Sequence, residues 1–219
     1  MASWPSRPEP FPRLYAILDV DAAAARGLVP LALLDAWLHA GVRLVQLRAK
    51  GLATGAFLDL ADAAVAATRA AGARLIVNDR ADVAALAGAD GVHVGQDDLD
   101  PRHARRLLGD GAIVGVSTHN AVQLEAALAG PATYIAVGPV FSTITKARPD
   151  PVVGLAAVRA ARARLAGTAR PLVAIGGITV ETAGSVIDAG ADSVAVIADL
   201  LIGDPGERIR QMLQSLDAR

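Results

Sequence analysis

The 219-residue chain contains no cysteine, which excludes disulfides, thiolate nucleophiles and cysteine-based metal centres. That absence suits a reducing compartment, and a cytoplasmic location is the expectation. Aromatic residues are scarce at 3%, although apolar residues reach 53%, so any core must be built from small aliphatic side chains. No run of about 18 apolar residues is present to cross a bilayer, and no membrane partner is expected. Positive charge shows no excess either. A net charge of -1 argues against nucleic acid as a partner. The first residues lack the apolar centre of a signal peptide and carry Pro5, Pro8, Pro10 and Pro12. They predict a disordered, proline-rich tail over 1–12, followed by a single folded domain over 13–219.

Two scarcities carry more information. Lysine occurs only at Lys50 and Lys146, and asparagine only at Asn78 and Asn120. Base-composition bias explains why arginine is used elsewhere, but not where these four residues fall.

What the chain has in abundance is a repeated cycle of turn, short apolar run, polar break and alanine-rich amphipathic stretch. The runs are 14–18, 42–47, 75–77, 91–94, 113–116, 134–137, 172–175 and 194–197. Six of them follow an Ala-Gly pair, a pattern that fits a helix ending in a left-handed glycine. Stretches such as 57–71, 152–166 and 179–189 have helical spacing. Continuous apolar runs alternating with helices imply parallel strands covered on both faces. Eight such units predict an α/β fold, a single-domain (β/α)8 TIM barrel. An open doubly wound sheet is the alternative, though eight even repeats are unusual for it.

Such barrels carry their active sites at the C-terminal ends of the strands, which turns the run ends into a candidate list. Gln46, Arg48 and Lys50 alternate, so a strand continued to Lys50 would aim all three at one anion; a salt-bridge role for one of them is the alternative. Asp79 and Asp98 follow adjacent strands and suit a shared Mg²⁺ ion, or else either caps the next helix. Asp97 reads as a cap or surface residue. The loop after Tyr134–Val137 carries Ser142, Thr143, Thr145, Lys146 and Arg148, donors that fit a phosphate or a solvated surface. Gly176-Gly177 before a helix offers backbone N–H groups to a phosphate, or makes a tight turn. His93 reads as a satisfied barrel residue, whereas His119 fits either an acid–base role or an exposed loop. Two anion clamps, one carboxylate pair and no clear general base favour loss of a diphosphate leaving group over proton abstraction.

These motifs, in this order, resemble those of the thiamine-phosphate synthases from Arg13 to about Leu201. They are Gln46-Leu47-Arg48-Ala49-Lys50, Val77-Asn78-Asp79, His93-Val94-Gly95-Gln96-Asp97-Asp98, Gly115-Val116-Ser117, Thr143-Ile144-Thr145-Lys146 and Ile175-Gly176-Gly177-Ile178. The resemblance implies a transferase that joins hydroxymethylpyrimidine diphosphate to a thiazole phosphate, releasing diphosphate and forming thiamine phosphate. It places Gln46, Arg48, Lys50, Asn78, Ser117 and Lys146 on the pyrimidine diphosphate, with Leu47 and Ala49 in the same segment. It places Asp79 and Asp98 on Mg²⁺, and Thr143, Ile144, Thr145, Gly177, Val196 and Ile197 on the thiazole phosphate. Lys146, Arg48, Lys50 and Ser117 would act on the reacting groups, with small-molecule partners and a possible homo-oligomer. Two departures stand out: Ala198 occupies a position where many members carry serine, and Ala147-Arg148-Pro149 replaces a more polar sequence. The competing readings are a thiazole tautomerase using a histidine such as His119, and a non-catalytic barrel that only binds phosphorylated ligands.

Overall fold

The computed structural model describes residues 11–143 and 151–218. Eight parallel strands, β1 (Leu14–Asp19), β2 (Leu44–Arg48), β3 (Arg74–Asn78), β4 (Gly91–Val94), β5 (Ile113–Thr118), β6 (Tyr134–Val137), β7 (Leu172–Ile175) and β8 (Ser193–Val196), close into a barrel in chain order. β8 returns to pair with β1, with Tyr15 opposite Ala195. The expected (β/α)8 barrel is the observed fold.

The apolar runs form strands because they are covered on both faces. Alternate residues divide into an outer core, exemplified by Leu75 and Val77 under the helices, and an inner core, exemplified by Ile76 inside the barrel. Each fully buried leucine or valine stabilises the fold by about 1.5–3 kcal/mol relative to exposure. The helices follow from alanine-rich spacing: α1 (Val20–Ala24), α2 (Pro30–His39), α3 (Thr54–Ala70), α4 (Ala81–Ala87), α5 (Pro101–Leu108), α6 (Ala121–Ala129), α7 (Gly154–Leu165), α8 (Val180–Asp188) and α9 (Pro205–Asp217). Five of the six Ala-Gly pairs place their glycine at positive φ, as expected of helix ends. Gly130 does not. It is extended at φ -95 and ψ -178, because the following Pro131 disfavours helical backbone before it.

One boundary moves. Phe11, assigned from sequence to the tail, is partly buried with its ring 5.4 Å from that of Tyr134. Pro12, the last residue of the predicted tail, is also partly buried, and residues 1–10 lie outside the described residues.

Candidate active site

The C-terminal mouth of the barrel opens into a cavity of about 660 Å³, room for a small-molecule site. Gln46, Arg48, Lys50, Asn78, Asp79, Asp98, Ser117, Thr143, Gly177, Val196 and Ile197 all line it. Leu47 and Ala49 do not. Their side chains turn outward into the helix-facing core, as alternation along β2 requires, and only their backbone can face a ligand. Ile144, Thr145 and Lys146, with Arg148, lie outside the described residues.

β2 ends at Arg48, so Lys50 reaches the cavity from the loop rather than by strand alternation. Its Nζ lies 3.2 Å from Asp79 Oδ2. Asp79 adopts φ 63, a left-handed conformation that aspartate tolerates better than most residues. Its amide donates to the His93 carbonyl at 2.8 Å, which fixes the turn beyond β3. The Asp79 carboxyl is raised above the usual aspartate range, first by burial and then by the Asp98 carboxyl hydrogen-bonded to it, while Lys50 opposes the shift. Asp98 accepts from the Gly95 amide at 2.8 Å.

Neither carboxylate caps a helix. Arg80 occupies the N-cap of α4, and Asp100 caps α5 by accepting from the Arg102 amide. Two facing carboxylates at a cavity wall suit a divalent cation, which would relieve their repulsion. Among the described residues no cluster of three or more His, Asp or Glu offers an all-protein cage. Water and substrate oxygens would complete the shell, which suits Mg²⁺.

Arg48 makes an ion pair with Asp19, a buried residue absent from the sequence-derived candidates. Asp19 also caps α1 by accepting from the Ala22 amide at 2.9 Å. It was legible in principle, because it stands at the C-terminal end of β1, where the same strand-end rule applies.

A second group was missed. Tyr15 and Tyr134 are the only two tyrosines in the chain, and both lie inside the barrel, fully buried. The Gln46 Nε2 donates to the Tyr15 hydroxyl at 2.9 Å, and the two tyrosine hydroxyls are 2.9 Å apart. The Tyr134 hydroxyl lies 2.8 Å from His93 Nδ1, whose Nε2 lies 2.8 Å from Ser117 Oγ. Gly115 makes room for this: a Cβ there would sit 2.1 Å from Tyr134 Cζ and 2.6 Å from His93 Nδ1. Burial lowers the His93 pKa to about 4, despite the opposing Asp98 charge, so the imidazole is neutral. His93 is thus a satisfied barrel residue, as its sequence context indicated.

His119 lines the cavity with Nδ1 2.6 Å from the Gly138 carbonyl, a bond that requires a proton on Nδ1. Across the mouth, the expectation of bare N–H groups at the start of α8 needs correction. The Thr179 amide donates to Thr182 Oγ1 at 2.9 Å, and the Val180 amide to Asp199 Oδ2 at 3.1 Å. Asp199 is itself paired with Arg208. Among the described residues the amides of Gly177 and Ile178 carry no hydrogen bond, and they are the donors left for an anion. Gly177 is required there: it has φ 64, and a Cβ would meet the Ser142 carbonyl oxygen at 2.3 Å.

A closed parallel barrel with a donor-lined cavity at this mouth is the architecture of a (β/α)8-barrel enzyme. Residues 14–200 match the family model of thiamine monophosphate synthase. The thiamine-phosphate synthase of Koribacter versatilis is 50% identical over 209 residues, covering 94% of this chain and 96% of the relative. That of Acidothermus cellulolyticus is 45% identical, covering 94% and 95%. The thiamine phosphate pyrophosphorylase of Pyrococcus furiosus superimposes with a TM-score of 0.82 at 27% identity, covering 94% and 96%. The chain belongs to the thiamine monophosphate synthase family, and it is an enzyme of thiamine phosphate synthesis.

Proposed function

We propose that this barrel joins 4-amino-2-methyl-5-hydroxymethylpyrimidine diphosphate to a thiazole phosphate, releasing diphosphate and forming thiamine phosphate. The facing carboxylates Asp79 and Asp98, set among Gln46, Arg48 and Lys50, carry this reading. A site that couples a carboxylate pair to a cluster of cationic donors is suited to a leaving diphosphate.

The bond between the pyrimidine methylene and the diphosphate oxygen breaks, and its electron pair leaves with the diphosphate. Asp79 and Asp98 would hold Mg²⁺, which supplies charge neutralisation to the departing oxygens. Arg48 and Lys50 donate to the same oxygens, joined in this reading by Ser117 and Lys146. Asn78 and Gln46 orient the pyrimidine. The Gly177 and Ile178 amides hold the thiazole phosphate, joined in this reading by Thr143, Ile144, Thr145, Val196 and Ile197; Val196, whose side chain belongs to the helix-facing core, offers its backbone. The thiazole nitrogen then attacks the methylene carbon, a step that needs orientation rather than a strong base. Asp79→Ala and Lys146→Ala should each abolish diphosphate release, whereas His119→Ala should retain most of it. Loss confined to His119→Ala would favour the tautomerase reading instead.

A further inference from the structure

Gln46 and Ser117, on opposite sides of the cavity floor, are joined through three buried side chains that take no direct part in the chemistry described above. Four hydrogen bonds of 2.8–2.9 Å connect Gln46, Tyr15, Tyr134, His93 and Ser117 in one line. Burial raises both phenols far above their ordinary range, so each keeps one proton to donate.

Counting protons gives the line a direction. The Gln46 amide nitrogen donates to the Tyr15 oxygen, so the Tyr15 proton has only the Tyr134 oxygen as acceptor. The Tyr134 proton then goes to His93 Nδ1, which makes the imidazole the Nε2–H tautomer, donating to Ser117 Oγ. Running the line backwards with Gln46 in this orientation leaves the buried Tyr15 hydroxyl without an acceptor, at a cost of about 1–3 kcal/mol. The forward direction leaves Gln46 Oε1 and the Ser117 hydroxyl proton for the cavity that both residues line.

We propose that Tyr15, Tyr134 and His93 are positioning residues of an oriented hydrogen-bond wire that makes the site select an amino-bearing heterocycle over its oxo analogue. Gln46 presents a carbonyl that accepts from an exocyclic amine and repels an oxo group. Ser117 presents a proton that suits an anionic oxygen. The inference rests on the pyrimidine assignment above and adds how the selection is enforced. Gln46 cannot turn its amide without reversing every proton along the line.

Two measurements on the full chain test it. The first reads the His93 tautomer by ¹⁵N NMR without substrate, in the wild type and in Gln46→Glu. The ionised glutamate can only accept, so it should reverse the line and convert His93 from Nε2–H to Nδ1–H. An Nδ1–H wild type, or the same tautomer in both proteins, would overturn the wire. The second uses Tyr134→Phe, which removes the acceptor of the Tyr15 proton and lets that proton turn to Gln46 Oε1, bringing the amide nitrogen into the cavity. The ratio of kcat/KM for the aminopyrimidine diphosphate over its oxo analogue should fall by about tenfold or more. The KM for the thiazole phosphate should change less than about twofold, a split that general loosening of the barrel would not produce. An unchanged ratio, or both KM values rising together, refutes the positioning role. A wild-type enzyme that turns over neither pyrimidine, while showing the tautomer exchange, would instead refute the synthase reading and leave the wire standing.

Discussion

Lys50 Nζ lies 3.2 Å from Asp79 Oδ2, while the same carboxyl is hydrogen-bonded to Asp98. One ammonium therefore faces two carboxyl groups, and a divalent cation would complete the neutralisation while freeing Lys50 for a diphosphate oxygen. In the metal-free protein this arrangement is a liability. The folded-state pKa of Asp79 is raised, so its contribution to stability falls as pH rises above the unfolded value and stays unfavourable at neutral pH. Asp79→Asn keeps a side chain that tolerates φ 63 and removes the repulsion. It should raise the metal-free Tm and abolish the stabilisation by Mg²⁺. At 100 times its Kd the ion should stabilise the wild type by about 2.7 kcal/mol, or about 5–10 °C, in differential scanning fluorimetry.

Acid should act on His93. Its pKa falls from 6.5 in the reference state to about 4 in the fold, so the unfolded chain binds more protons between those values. The contribution is complete above about pH 6.5 and is lost as pH falls towards 4, amounting to about 3 kcal/mol. Urea titrations between pH 4 and 7 should show this slope in the wild type and a clearly smaller one in His93→Gln.

Asp19 holds Arg48 at the cavity rim and caps α1 with the same carboxylate. Asp19→Asn retains the cap but gives Arg48 no counter-charge. A loss of about 1–3 kcal/mol is expected, with a raised KM for the pyrimidine diphosphate and little change for the thiazole phosphate. Steady-state kinetics with each substrate varied in turn checks this.

Gly115→Ala places a methyl group 2.1 Å from the Tyr134 ring carbon that bears the hydroxyl. Ring and imidazole must both move, so the variant should lose about 1–3 kcal/mol or more by chemical denaturation. It should also lose activity, because His93 then carries Ser117 out of position.

The barrel was legible because its strands are covered on both faces, which writes each as an unbroken apolar run after a turn. Strands β4, β6 and β7 match their predicted runs residue for residue, and the others differ by one or two residues at their ends. The mouth was legible for the same reason, since strand ends of a parallel barrel converge. Rarity helped too: lysine and asparagine were informative because each occurs twice. Tyrosine also occurs twice, yet Tyr15 and Tyr134 read as core, because a hydroxyl at the start of an apolar run does not disclose its partner. The line from Gln46 to Ser117 depends on which residues share a layer inside the closed barrel, and that register is set only when β8 meets β1. The pairing of Arg48 with Asp19 needs only the register of the neighbouring strands β1 and β2, in which the two residues stand opposite each other. The satisfied amides of Thr179 and Val180 were hidden because their acceptors, Thr182 and Asp199, lie on the next turn and beyond the next strand.

Condensation with expulsion of diphosphate is the reaction proposed for the site built from Asp79, Asp98, Arg48 and Lys50. The most direct measurement incubates the purified chain with the aminopyrimidine diphosphate, the thiazole phosphate and Mg²⁺, and quantifies both products. Thiamine phosphate and diphosphate should appear in equal amounts, and both should vanish in Asp79→Ala. Diphosphate release without thiamine phosphate, or formation of either product at wild-type rate in Asp79→Ala, would contradict the account.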